Sequence, residues 1–259
     1  MAHRAQFQAS RYEFKYLIDE RRAQAMREVV RCYLQADEYA LPENGFMYPV
    51  HSLYLDSPDL ALYEQTVQGI KNRFKLRIRF YDDSPDTPAF FEVKQRVTNV
   101  IKKYRAGIGR EGLHNILSGT IPDASHVISN GDDRRLHDFY YFCDLCNQIG
   151  AIGTAYVSYL REAYVAPDSN RVRVTFDRQL TGSAYDWLPQ VKTPTNPTHV
   201  NVKGVILELK FTDRFPTWMQ ELVETFELRR RSMAKYVKCV RAIGMSRRHG
   251  GLASRGGVR

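Results

Sequence analysis

The segment Lys75-Leu76-Arg77-Ile78-Arg79-Phe80 sets basic and apolar residues in strict alternation. Side chains alternate between faces along a strand, so Lys75, Arg77 and Arg79 share one face and Leu76, Ile78 and Phe80 the other. The pattern recurs along the chain. Arg11, Glu13 and Lys15 oppose Tyr12, Phe14 and Tyr16, and Glu92, Lys94 and Arg96 oppose Phe91 and Val93. Arg171 and Arg173 oppose Val172, Val174 and Phe176; Glu208 and Lys210 oppose Leu207, Leu209 and Phe211; Lys103 and Arg105 flank Tyr104. A face this rich in Lys and Arg suits a polyanion, because guanidinium forks and ammonium groups match phosphate oxygens. Glu13, Glu92 and Glu208 each stand two residues before a Lys. Carboxylates repel a nucleic-acid backbone, whereas hard divalent cations on a phosphate ligand use them. A cross-strand ladder on the wet face of an ordinary antiparallel sheet gives the same Glu-x-Lys spacing, so both readings stand at this point.

The elements that position these residues are expected as strands near 10–18, 48–56, 73–82, 88–97, 99–107, 153–165, 171–180 and 204–212. Asp82-Asp83-Ser84-Pro85-Asp86, Thr98-Asn99 and Pro167-Asp168-Ser169-Asn170 are turn sequences between consecutive strands. Such short links imply antiparallel hairpins. Asp19 is expected to cap a helix to about Leu34, and Ser57-Pro58 to open one reaching about Gln65. Further helices are expected at 134–149, after Pro216, and at 230–243. The sum is an α+β fold, an eight-stranded antiparallel β-barrel with helices packed outside, since about eight strands suffice to close one. Residues 1–246 form the expected domain, and 247–259 a basic, disordered tail rich in Gly and Arg.

Of the 259 residues 43% are hydrophobic, enough for a sizeable core, and the formal net charge of +9 favours an anionic partner. No run approaches the roughly 18 apolar residues of a membrane span, and no secretory h-region is visible. Cys143 and Cys146 form one C-x-x-C with no second pair to complete a zinc site. The four cysteines therefore read as reduced thiols of a cytoplasmic protein. P-loop, H-E-x-x-H and G-x-S-x-G motifs are missing, and the seven histidines lack ligand spacing.

Ordered motifs run through the chain: Arg11-Tyr-Glu-Phe-Lys-Tyr16, Tyr54-Leu-Asp-Ser57, Lys75-Leu-Arg-Ile-Arg-Phe-Tyr81, Phe91-Glu-Val-Lys94, Lys102-Lys-Tyr-Arg105, Arg161-Glu-Ala-Tyr164, Arg171-Val-Arg-Val-Thr-Phe-Asp-Arg178, Val205-Ile-Leu-Glu-Leu-Lys210 and Ser232-Met-Ala-Lys-Tyr236. Through them, over about 8–243, the chain resembles the polyphosphate polymerase domain of the vacuolar transporter chaperone (VTC) family, within the CYTH-like triphosphate tunnel metalloenzyme superfamily. The resemblance implies a tunnel lined by basic residues. It implies synthesis of polyphosphate from the terminal phosphate of ATP with a divalent metal, Mn2+ or Mg2+. Arg77, Arg79, Arg161, Arg173 and Lys94 are then expected at the transferred phosphoryl group. Lys15, Lys75, Lys103, Lys210, Ser232 and Lys235 are expected along the substrate, and Glu208 on the metal, with Glu13 and Glu92 beside it. Two positions depart from the family pattern. Arg11 stands where the superfamily has the first Glu of Glu-x-Glu-x-Lys, which argues against triphosphate hydrolysis. Ser232-Met-Ala-Lys235 replaces a Lys-x-Ser-Lys. Triphosphate hydrolysis and non-catalytic binding of polyphosphate or inositol phosphates are the alternatives, and no nucleic-acid partner is expected.

Overall fold

The computed structural model describes residues 11–98, 100–167 and 169–245, with the backbone alone for Arg11 and Asn170. The expected tail at 247–259 lies outside the described residues. The strands are β1 (Arg11–Ile18), β2 (Gln35–Ala36), β3 (Met47–Asp56), β4 (Leu76–Phe80), β5 (Ala89–Val97), β6 (Val100–Ile108), β7 (Ile152–Ala166), β8 (Ser169–Ala184), β9 (Thr198–His199) and β10 (Val205–Thr212). Eight of them form one curled sheet in the order β1, β10, β8, β7, β3, β4, β5, β6. Every pairing along it is antiparallel. β2 and β9 add short pairings to β7 and β8. The two ends of the order, β1 and β6, come together without a backbone ladder among the described residues. Lys94 Nζ on β5 reaches Glu13 Oε2 on β1 at 2.5 Å across that seam.

The registers carry the alternation around the whole sheet. Lys15 lies opposite Glu208, Lys210 opposite Arg173, Arg161 opposite Asp177, Tyr54 opposite Arg77, and Glu92 opposite Arg105. Directly opposed residues share a face, so these charges all point to the concave side. The convex side is mostly apolar, apart from a buried cluster of Glu162 with Arg27 and Arg178, and is covered by helices. α1 (Glu20–Arg31) and α5 (Thr217–Thr225) pack Met26, Val30, Met219 and Leu222 with Val174, Phe176, Leu207 and Leu209. α4 (Asp133–Ile149) packs Phe139 and Phe142 on Phe91 and Ala106. A short helix, α3 (Gly112–Leu117), adds Leu113 and Ile116 to the same cluster; its six residues are too few to show a helical period in the sequence.

Two expected helices start later than the sequence suggests. α2 covers Ala61–Val67, because Ser57 closes a turn with Leu60, whose backbone is left-handed at φ 60°. The helix's free N–H groups on Leu62 and Tyr63 donate to the carboxylate of Asp56 at 2.8 and 2.9 Å, while Ser57 Oγ accepts only from Ala61. An ionised acceptor makes the stronger hydrogen bonds, so Asp56 fixes the start. The last helix, α6, covers Lys235–Ala242 rather than starting at 230. Arg231 N–H donates to Lys15 O at 2.8 Å, and Arg230 bridges to Tyr16, which keeps 230–234 extended along the edge of β1.

α6 differs from α1, α4 and α5 in packing on the concave face at one end of the barrel, where it meets Tyr63 of α2. Tyr236 stacks on Tyr54 at 4.7 Å and donates its hydroxyl hydrogen to Asp56 at 2.7 Å. Gly182 permits this approach: a Cβ there would lie 2.8 Å from the Cβ of Cys239. No helix among the described residues is long and apolar enough to cross a membrane.

Candidate anion site in the barrel

The concave face encloses a cavity of about 410 Å3. Twelve Lys and Arg residues line it against two carboxylates, Glu13 and Glu208, so its interior is strongly positive. Asp177, Glu92 and Asp37 stand behind the lining and neutralise only part of this excess.

Two buried carboxylate hubs hold the cations in place. Asp177, on β8, accepts from Arg161 Nε and Nη2, both at 2.8 Å, and contacts Lys235 Nζ at 2.6 Å. Lys235 also donates to Glu208 at 2.8 Å, and Glu208 contacts Lys15 at 3.0 Å and Lys210 at 2.7 Å. Burial alone would raise the carboxyl of Glu208, but Lys15, Lys210, Lys235 and Arg161 outweigh it and hold it well below the usual range. Asp177 follows the same logic, with Arg161 and Lys235 overcoming its burial. Lys15 is raised: burial opposes its charge, and Glu13 and Glu208 win. Asp177 therefore joins β7, β8 and the first residue of α6 at one point.

The second hub is Glu92, whose side chain is only 1% exposed. Arg77 Nε donates to it at 2.7 Å, Lys103 lies at 2.8 Å, and Arg105 and Arg79 lie at 3.6 and 3.8 Å. A third carboxylate, Asp37, comes from the segment after β2 and holds Arg173 at 2.5 Å and Tyr48 Oη at 3.2 Å. Lys75 differs from its neighbours in having no carboxylate within ion-pair distance among the described residues. Burial, then Lys15, Lys94, Arg73 and Arg77, push its ammonium down to about 7.

Arg77, Arg79, Arg161, Arg173, Lys94, Lys15, Lys75, Lys103, Lys210 and Lys235 are thus brought together in one cavity, along with Glu13 and Glu208. Ser232 is exposed and does not line it, because the extended 230–234 segment presents Met233 and Ala234 instead. Glu92 also lies outside the lining, sealed beneath its four cations. Sequence reasoning missed Asp177, Asp37 and the cavity tyrosines Tyr48, Tyr54 and Tyr159. Arg79 Nη2 donates to Tyr159 Oη at 3.3 Å. The signal for Asp177 was present, since it continues the Arg171, Arg173, Thr175 alternation. Asp37 carried none, being brought in from a loop.

Arg79 Nε and Arg173 Nε are buried donors without a hydrogen-bond partner among the described residues. Native proteins rarely leave buried donors unmade, and an anion bound among these guanidinium groups would satisfy both. For a divalent cation the donor set is small. Glu13 and Glu208 flank Lys15 and face the cavity, and no group of three or more acidic, His or Cys ligands occurs among the described residues. Two carboxylates suit a Mg2+-like ion that takes its other ligands from phosphate and water. Glu92 lies behind the lining and does not face the cavity as Glu13 and Glu208 do.

A model of the VTC domain matches residues 10–243. The chain belongs to the VTC domain family. Two solved structures align with it over most of both chains. One is a putative adenylate cyclase from Bacillus halodurans, at 13% identity and TM-score 0.46, covering 87% of this chain and 94% of that one. The other is a putative adenylate cyclase from Vibrio parahaemolyticus, at 12% identity and TM-score 0.44, covering 88% and 97%. No curated protein matches the chain. For this VTC domain the α+β tunnel architecture expected from the sequence is the one observed.

Proposed function

We propose that this VTC domain transfers the terminal phosphate of ATP to a growing polyphosphate chain inside the barrel. The observation that carries the reading is the barrel cavity lined by twelve cations, most of them held on carboxylates such as Glu92, Asp177 and Glu208. In the proposed step a terminal oxygen of the acceptor chain attacks the γ-phosphorus in line. The bond from γ-phosphorus to the β,γ-bridging oxygen breaks, ADP leaves, and the chain gains one phosphate. Such a transfer needs no side-chain nucleophile, because positioning and charge neutralisation supply the catalysis. Arg77, Arg79, Arg161 and Arg173 clamp non-bridging oxygens with planar forks. Lys15, Lys94, Lys103, Lys210 and Lys235 neutralise charge along the path, and Lys75 gains its proton fully when an anion arrives. A divalent ion held by Glu208 and Glu13 would shield the β- and γ-phosphate charges.

One feature favours a second reading. Every cavity-facing carboxylate is already paired with lysine ammonium groups, as a non-catalytic polyphosphate binder would have it. Incubation with ATP and Mn2+ or Mg2+, with products resolved by chain length on a gel, separates the two. Chains longer than triphosphate that vanish in Arg77→Ala support the polymerase. Orthophosphate alone points to a triphosphatase. No turnover, with thermal stabilisation by added polyphosphate, points to the binder.

A further inference from the structure

The end of the barrel opposite α6 carries a group of aromatic side chains that the phosphoryl chemistry leaves unused. Tyr81, just beyond β4, lines the cavity. Tyr39, in the segment after β2, lies parallel to it, with ring centroids 5.6 Å apart and planes 9° apart. Tyr48 flanks both, at 5.8 Å from Tyr39 and 6.3 Å from Tyr81. Phe90 meets Tyr81 edge-on and carries the guanidinium of Arg105 at 3.8 Å on its own face. Tyr39 is 50% exposed. A tyrosine that open, stacked in parallel on a cavity-lining ring, offers a flat polarisable face to solvent.

The shelf is fixed before any ligand arrives, and the group that fixes it is also part of the anion site. Asp37 Oδ1 accepts from Tyr39 N–H at 2.9 Å, and Asp37 O accepts from Ala40 N–H at 2.9 Å. Asp37 Oδ2 takes Arg173 Nη2 at 2.5 Å and Tyr48 Oη at 3.2 Å. Arg173 also donates to Tyr48 Oη at 3.3 Å. One carboxylate thus joins the Arg173 guanidinium to the backbone of Tyr39, one ring of the stacked pair. A phosphate on Arg173 places whatever is esterified to its outer end within a few ångströms of Tyr48, and so beside the shelf. Inorganic polyphosphate has nothing to put there, whereas a nucleoside triphosphate has a planar base. Every base has a π-face, and stacking on aromatic side chains is tolerant of base identity.

The geometry points to a nucleobase-stacking subsite on Tyr39 and Tyr81 that lets the site distinguish a nucleoside triphosphate from an inorganic polyphosphate of the same charge. This rests on the reading of ATP as phosphate donor. It makes the open end the donor's end and leaves the α6 side to the acceptor chain.

The test compares the dissociation constants of ATP and inorganic tripolyphosphate, by calorimetry, for the wild-type protein, Tyr39→Ala and Tyr39→Phe. The Tyr39 side chain is half exposed and joins no ion pair, and the backbone N–H that donates to Asp37 is kept in both variants, so they keep the fold, which their melting temperatures verify. Tyr39→Ala is expected to weaken ATP roughly tenfold, to leave tripolyphosphate within about twofold, and to be rescued by Tyr39→Phe. An unchanged ATP affinity, or equal losses for both ligands, overturns the subsite while leaving the anion site intact. A wild-type protein that binds neither ligand overturns the phosphoryl-transfer reading and this subsite together.

Discussion

Replacing Asp177 by Asn removes one negative charge from the point where β7, β8 and α6 meet. Arg161 loses the ionised partner of two 2.8 Å hydrogen bonds, and Lys235 loses a contact of 2.6 Å. Neither cation can turn to bulk water, since their side chains are 8% and 9% exposed. Breaking a buried pair from one side costs about 3–5 kcal/mol. Glu208 remains 2.8 Å from Lys235 and 3.8 Å from Arg161, which places the loss at the lower end, about 3 kcal/mol. In a chain of this length that lowers Tm by roughly 6–12 °C. Because its cations overcome burial and hold the Asp177 carboxyl low, the contribution is complete above the unfolded value of about 4. It fades only as pH falls through the lowered folded value, so wild type and variant converge in acid. Tripolyphosphate at about a hundred times its dissociation constant stabilises the wild type by about 2.7 kcal/mol, and it stabilises the variant more, because phosphate oxygens replace the missing carboxylate. The assay is thermal melting at neutral and acid pH, with and without tripolyphosphate. A variant that melts with the wild type, or that gains no more from the anion, refutes the argument.

Glu208→Gln is expected to abolish turnover while tightening polyphosphate binding severalfold, because Lys15, Lys210 and Lys235 are released from the same carboxylate; calorimetry with polyphosphate alongside the gel assay checks both. Lys75→Met is expected to raise Tm at pH 6, where the unpaired ammonium is otherwise charged among Lys15, Lys94, Arg73 and Arg77. With its folded value lowered to about 7, Lys75 opposes folding most strongly below that pH, its penalty shrinks as pH rises toward the ordinary value near 10.5, and its charged form favours anion binding below 7. The wild type should therefore lose tripolyphosphate affinity relative to Lys75→Met as pH rises from 6 to 8, and parallel profiles for the two proteins would contradict the assignment.

Much of the barrel was legible because the period-two pattern runs through most of the long strands, with register shifts confined to the pairings of β7 with β3 and β8. Lys75 to Phe80 and Arg171 to Phe176 fix which side chains of each strand share a face. Glu208 and Lys210 could be placed beside Lys15 only once the register was known, since sequence spacing says nothing about which strands are neighbours. Glu92 and Glu208 look alike in sequence, each two residues before a Lys, and both end up buried among four cations; only the position of Glu208 in the cavity lining and of Glu92 behind it separates them. The start of α6 was hidden as well. Residues 230–234 have no strong helix breaker, and what keeps them extended is a backbone contact to Lys15, more than two hundred residues away. Asp37 lies beyond any local pattern, because a loop delivers it to Arg173.

The alternation of charged and apolar side chains along the strands has a consequence for how the chain finds its fold. A slip of one residue between any two neighbouring strands exchanges the faces of a strand. In an ordinary sheet with a mild polar face, that error leaves threonines and serines against the core. Here it would drive Lys, Arg and Glu into the layer beneath α1 or α4 and turn Leu207, Leu209 or Phe176 toward water. Misaligned barrels are therefore penalised as soon as they collapse, and the charges that hold the anion also proofread the pairing of the strands.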